Sequence, residues 1–137
     1  MVKKIVGTGV LLVLALALQA GVKMYTLKSP DGKVKLEVTA GQGIAYSLFY
    51  DGRLLLKPSR IALHTDLPEA DHWENIRITG TKQRHVSETV QAPFYRGKEF
   101  GIDCNELELR LNNGFLLLMR AYNDGMAYRF VAGRKGE

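Results

Sequence analysis

The amino-acid sequence predicts an all-β chain, an antiparallel β-sandwich, and three observations carry that expectation. Apolar and polar residues alternate with a period of two in several runs. Pairs of turn-forming residues ending in glycine stand between those runs. Beyond the first twenty residues, no helix-length window repeats apolar side chains at three and four.

The opening segment stands apart from the rest. Lys3 and Lys4 precede an uncharged, apolar run from Ile5 to Leu18, followed by small and polar residues, the three-part layout of a secretory signal peptide. Residues 1–20 are therefore assigned to a signal-peptide helix and residues 21–137 to a β-sandwich domain. Both Ala15-Leu16-Ala17 and Ala20 offer cleavage positions. The apolar run falls a little short of the roughly 20 residues that a transmembrane helix needs. The expected location is periplasmic or secreted, with no membrane contact after cleavage.

Tyr25-Thr26-Leu27 leads into Ser29-Pro30-Asp31-Gly32, a turn that begins with proline's fixed φ and closes on glycine. Val34, Leu36 and Val38 then alternate with Lys35, Glu37 and Thr39, a half-buried strand broken by Gly41-Gln42-Gly43. Ile44 to Tyr50 forms the next strand. Asp51-Gly52 supplies a type I′ turn, and Arg53 to Lys57 returns as a partner stopped by Pro58. A short strand is expected over Arg60 to Thr65, a loop over Asp66 to Glu74, and two short strands around Ile76–Thr79 and Val86–Val90. Gln91 to Asp103 shows no period and reads as a long loop or irregular edge.

Asn105 to Val131 carries the clearest pattern. Leu107, Leu109 and Leu111 alternate with Glu106, Glu108 and Arg110, and Asn113-Gly114 suits a second type I′ turn. Phe115 to Tyr122 has apolar residues at both parities until Arg120, which predicts a central strand covered on both faces. After Asn123-Asp124-Gly125 the chain leaves with Met126, Tyr128 and Phe130 on one face, completing a meander.

Charge narrows the function. Removing Lys3 and Lys4 from the formal +5 leaves +3 spread over both signs, which is too dispersed for nucleic acid. With 46% hydrophobic and 24% charged residues, the composition is that of a folding chain rather than a disordered one. Cys104 is the only cysteine, so no internal disulfide forms, and with His85 the nearest histidine it reads as a buried, inert thiol.

Candidate chemistry is sparse. His64, Asp66, Glu69, Asp71, His72 and Glu74 gather metal-ligating types in one loop, but no recognised ligand spacing joins them, and no metal site is assigned. Trp73 and Tyr95 have faces suited to stacking on a sugar, yet a lone tryptophan is assigned to the core. Glu106 and Glu108 point to one strand face about 7 Å apart by strand rise. Glycoside cleavage needs a carboxylate pair at about 5–5.5 Å or 6.5–9.5 Å. They are read instead as solubilising charges on the polar side of an amphipathic strand.

The eleven residues Arg120-Ala121-Tyr122-Asn123-Asp124-Gly125-Met126-Ala127-Tyr128-Arg129-Phe130 resemble the N-terminal-domain signature of glycoside hydrolase family 97, which contains α-glucosidases and α-galactosidases. The Ser29-Pro30-Asp31-Gly32-Lys33 turn and the stretch from Tyr46 to Pro58-Ser59 are similar to two further pieces of that domain, in the same order. The resemblance implies a piece of a β-super-sandwich that supports a catalytic (β/α)8 barrel lying outside this chain, in an enzyme acting on α-linked oligosaccharides. It implies that the catalytic carboxylates and calcium ligands also lie outside the chain. No catalytic, substrate-binding, metal or cofactor residue is transferred, and the chain alone is expected to be inactive. Arg120, Asn123, Asp124, Gly125 and Arg129 are assigned structural or interface roles. The residues themselves leave one other reading open, a self-standing exported β-sandwich that binds carbohydrate or protein through an aromatic face or a sheet edge.

Overall fold

The computed structural model describes residues 22–66, 71–94, 96 and 99–133, so the leader assigned to residues 1–20 and the aromatic candidate Tyr95 lie outside the described residues. Alternating side chains and tight turns produce eight strands: β1 (Lys23–Lys28), β2 (Val34–Gly41), β3 (Gly43–Tyr50), β4 (Arg53–Ile61), β5 (Ile78–Gln91), β6 (Glu99–Leu111), β7 (Phe115–Tyr122) and β8 (Gly125–Ala132). They form two four-stranded antiparallel sheets, β1-β2-β3-β4 and β5-β6-β7-β8, in which every neighbour in space is a neighbour in sequence. The sheets face each other with β1 against β6 and β7, and β2 against β7. This is the predicted all-β sandwich.

The core is built by the inward parity of each strand. Leu27 on β1, Val34, Leu36 and Val38 on β2, and Ile44 on β3 meet Leu107, Leu109 and Leu111 on β6 and Phe115, Leu117, Met119 and Ala121 on β7. Each fully buried Leu or Met contributes about 1.5–3 kcal/mol relative to exposure. Trp73, from the segment between the sheets, caps this layer. Its indole packs on Phe115 and Phe130 at 6.0 and 5.1 Å between ring centroids, and its Nε1 donates to the Leu63 carbonyl at 2.9 Å. A buried indole whose N–H is satisfied is a packing residue, as the sequence predicts.

Several boundaries differ from expectation for physical reasons. Pro58 does not stop β4, which continues to Ile61, because β4 is an edge strand where a missing N–H costs no ladder bond. Register shifts opposite Tyr46 to Phe49 absorb the irregularity, and residues 62–65 are not a strand. The two short strands expected on either side of Gly80 are one, β5, of 14 residues. Gly80 itself sits at a register shift beside Arg110. The aperiodic stretch ending at Asp103 is in part strand as well, since residues 99–103 of β6 pair only with β5 and need no buried face to alternate with.

Turn geometry separates the two glycine pairs. Asp51 and Gly52 have φ of 48° and 77°, as a type I′ turn requires. At Asn113-Gly114 only Gly114 is left-handed, with φ of 88°, and its N–H donates to the Leu111 carbonyl at 3.2 Å. The hairpin is present, but its loop is a type I-like turn closed by a left-handed glycine rather than type I′. β7 is central as predicted, although its outward residues Leu116, Leu118, Arg120 and Tyr122 are half-buried rather than covered.

Candidate functional site

The signature residues lie at one end and on the outer face of the second sheet. Asn123 and Asp124 form the two-residue link from β7 to β8, and neither they nor Gly125 adopt positive φ, so conformational permissiveness does not explain them here. Asn123 has a different task. Its Oδ1 accepts the Asp31 backbone N–H at 2.9 Å, joining the β7–β8 turn of one sheet to the β1–β2 turn of the other. Two stretches that carry the family resemblance are thus in contact, though 92 residues apart.

The β1–β2 turn is organised to present that N–H. Ser29 Oγ donates to Asp31 Oδ1 at 2.6 Å and accepts the Val34 N–H at 3.0 Å, while Asp31 Oδ1 also accepts the Lys33 N–H at 3.0 Å. The Ser29 hydroxyl first, then the Lys33 amide, hold the Asp31 carboxyl below its ordinary pKa. Along the same side, Gln83 Nε2 and Asn105 Nδ2 donate to the Thr26 and Lys28 carbonyls of edge strand β1 at 3.1 and 2.8 Å. Side chains of one sheet thereby close the edge of the other.

The outer face of the second sheet holds its electrostatic centre. Antiparallel register places Arg84, Glu106 and Arg120 side by side on β5, β6 and β7. Arg84 Nε donates to Glu106 Oε1 and Arg120 Nε to Glu106 Oε2, both at 2.7 Å. Glu106 is only 3% exposed, so it is not the solubilising charge the alternation predicts. Burial pushes its carboxyl up, but the bonds from Arg84 and Arg120 together with their charges outweigh that and hold its pKa below the ordinary value. The Arg120 guanidinium is pushed above its ordinary value, first by Glu106 and then by a hydrogen bond from Arg120 to Tyr122. Sequence reasoning missed this row because the partners come from three strands, and the signal that would have found it is the register, not the alternation.

Cys104 is buried next to Glu106 on the same face, outside the main cluster, and burial raises its thiol pKa, as suits an inert sulfur. Arg129, by contrast, is exposed on β8 with no hydrogen-bond or ion-pair partner among the described residues, and Asp124 pairs with neither arginine. Of the acidic loop, His64 Nδ1 lies 2.9 Å from Asp71 Oδ1 at the surface, and Glu69 lies outside the described residues. Among the described residues no three metal-ligating side chains converge.

These contacts join strand to strand and sheet to sheet. A carboxylate locked between two guanidiniums, with both oxygens occupied, is held ionised and cannot deliver a proton to a leaving group. What the fold and site define is a sandwich module whose charged residues join strands and sheets to one another.

Comparison with known proteins makes the class specific. Residues 27–136 match the family described as Glycosyl-hydrolase 97 N-terminal, and the chain belongs to that family. It is similar to the retaining alpha-galactosidase of Bacteroides thetaiotaomicron, with 42% identity over 117 residues, which is 85% of this chain and 17% of that protein. Its fold is similar to a glycoside hydrolase family 97 enzyme from Pseudoalteromonas sp. strain K8, solved with acarbose, at TM-score 0.68 and 18% identity. It is also similar to a beta-arabinopyranosidase at TM-score 0.71 and 23% identity. Each structural match covers 82% of this chain and 18% of the other. The chain spans about a sixth of the length of the relatives it matches.

Proposed function

We propose that the chain is the non-catalytic N-terminal β-sandwich of an exported α-glycosidase, an α-galactosidase or α-glucosidase, and that its work is to support a catalytic (β/α)8 barrel lying elsewhere in the enzyme. The observation that carries this reading is the match of nearly the whole chain to one terminal domain family while covering only 17% of a retaining alpha-galactosidase. The locked state of Glu106 agrees with it, since the most buried carboxylate among the described residues is engaged in holding strands together. The leader layout supports export. Calcium, which the family resemblance places in the parent enzyme, would be held by residues outside this chain. An α-linked oligosaccharide would bind the barrel.

The test is enzymatic. The purified 137-residue chain is expected to release no p-nitrophenol from the α-galactoside or the α-glucoside. A fusion that places residues 27–136 in the matching segment of the Bacteroides thetaiotaomicron relative is expected to hydrolyse one of them. Turnover by the short chain, or a fusion no more active than the relative stripped of that segment, overturns the reading.

A further inference from the structure

The outer face of β7 and β8 has features that the sandwich itself does not use. Strand register and alternation place Leu118 beside Arg129, Arg120 beside Ala127, and Leu116 beside Val131 on that face. Leu116, Leu118 and Val131 are half-buried, and a cleft of about 200 Å³ opens among Leu118, Arg120, Tyr122, Ala127, Tyr128 and Arg129. Among the described residues, two guanidiniums border this cleft and no carboxylate does.

The charge around the cleft is unbalanced in one direction. On the neighbouring strand β6, Glu106 has both oxygens taken by Arg84 and Arg120, and Glu108, across Leu118 from Arg129, lies 3.5 Å from Arg110. Arg129 has no hydrogen-bond or ion-pair partner among the described residues, while Arg120 is held in place by Glu106 and Tyr122. A fixed guanidinium loses little freedom when a further carboxylate arrives, and the planar fork suits bidentate contact. Apolar shoulders beside the charges would exclude water from such a pair and strengthen it.

We propose that an acidic segment of the same polypeptide, beyond this domain, covers the outer face of β7 and β8 and seats a carboxylate between Arg120 and Arg129. The inference rests on the accessory-domain reading above. It goes further by naming the docking face, its two cations and the charge of what meets them. The occupant is assigned to the same polypeptide because more than four-fifths of each matched relative lies outside the aligned part. Charge complementarity assigns its sign.

The test uses the full-length fusion described above, followed by hydrogen exchange in three variants. Arg129→Glu is expected to speed exchange in β8 and in the segment that covers it by roughly tenfold or more, with the difference shrinking in high salt. Arg129→Lys is expected to retain most of the protection, and Arg77→Glu, at an exposed site away from this face, to match the parent fusion. Should Arg129→Glu fail to accumulate, Arg129→Gln carries the same expectation. If Arg129→Glu or Arg129→Gln exchanges like the parent while the fusion still melts as one cooperative unit, the docking face is overturned and the accessory reading stands. If the unsubstituted fusion melts in two independent transitions and the added domain does not alter hydrolysis, the accessory reading falls and the docking face with it.

Discussion

β2 and β6 carry almost the same alternating pattern, Val-Lys-Leu-Glu-Val against Glu-Leu-Glu-Leu-Arg-Leu, and their inward faces meet in one core, yet two of their outward carboxylates, Glu37 and Glu106, have opposite fates. Glu37 pairs with Lys35 two residues away on its own strand, at 2.7 Å, and their side chains remain 23% and 30% exposed. Lys35 also lies over the Phe49 ring, 4.2 Å from its centroid. Glu106 is bonded instead by arginines from the strands on either side, with its side chain 4% exposed. Alternation decides which face a residue occupies, and the neighbours across the ladder decide its environment.

The first way to break this comparison is through the shared core. Leu36→Ala and Leu109→Ala are each expected to cost about 2–5 kcal/mol, because both leucines are fully buried and leave cavities between well-packed sheets. Urea unfolding of the fusion's domain measures both. A cost well below about 2 kcal/mol for either one would show that its sheet does not share the core.

A smaller effect sharpens the contrast on the outer faces. Glu106→Gln is expected to cost about 2–4 kcal/mol, since it leaves the partly buried Arg120 without its counter-charge. Glu37→Gln should change stability by less than about 1 kcal/mol, as solvent-screened pairs do. Equal losses would remove the distinction between the two faces.

Acid should separate the pair more gently. The Glu106 pKa is depressed in the folded state, so the unfolded chain binds more protons between its own carboxylate value and the lower folded one. The contribution of Glu106 is therefore complete above the unfolded value and is lost as pH falls through the folded value. Unfolding curves from neutral to acid pH are expected to show a shallower acid loss in Glu106→Gln than in the parent domain.

How much of this was legible in the sequence follows from the range of each interaction. Leu107, Leu109 and Leu111 declare a buried face within five residues, and Asp51-Gly52 declares its turn within two. The path of β4 through Pro58 was not legible, because nothing local says that a strand lies at an edge. β5 and the start of β6 were obscured for a related reason. They pair with each other over a stretch where only Val86 is fully buried on β5, so no apolar period marks them. The Glu106 row and the Asn123–Asp31 bond were the least legible, since they join residues from different strands or different sheets. The signature residues could be singled out by resemblance, but their tasks could be assigned only from the fold.

The order of strands has a last consequence, for how the domain comes together. Each sheet is a plain meander, and the polypeptide passes between them once, over residues 62–77. Pairing within either sheet closes only short loops, whereas bonds such as Asn123 to Asp31 link distant parts of the chain and gain their partners only after docking. Assembly is thus expected to run from two locally zipped ribbons to their face-to-face union, with that single tether setting how often the ribbons meet.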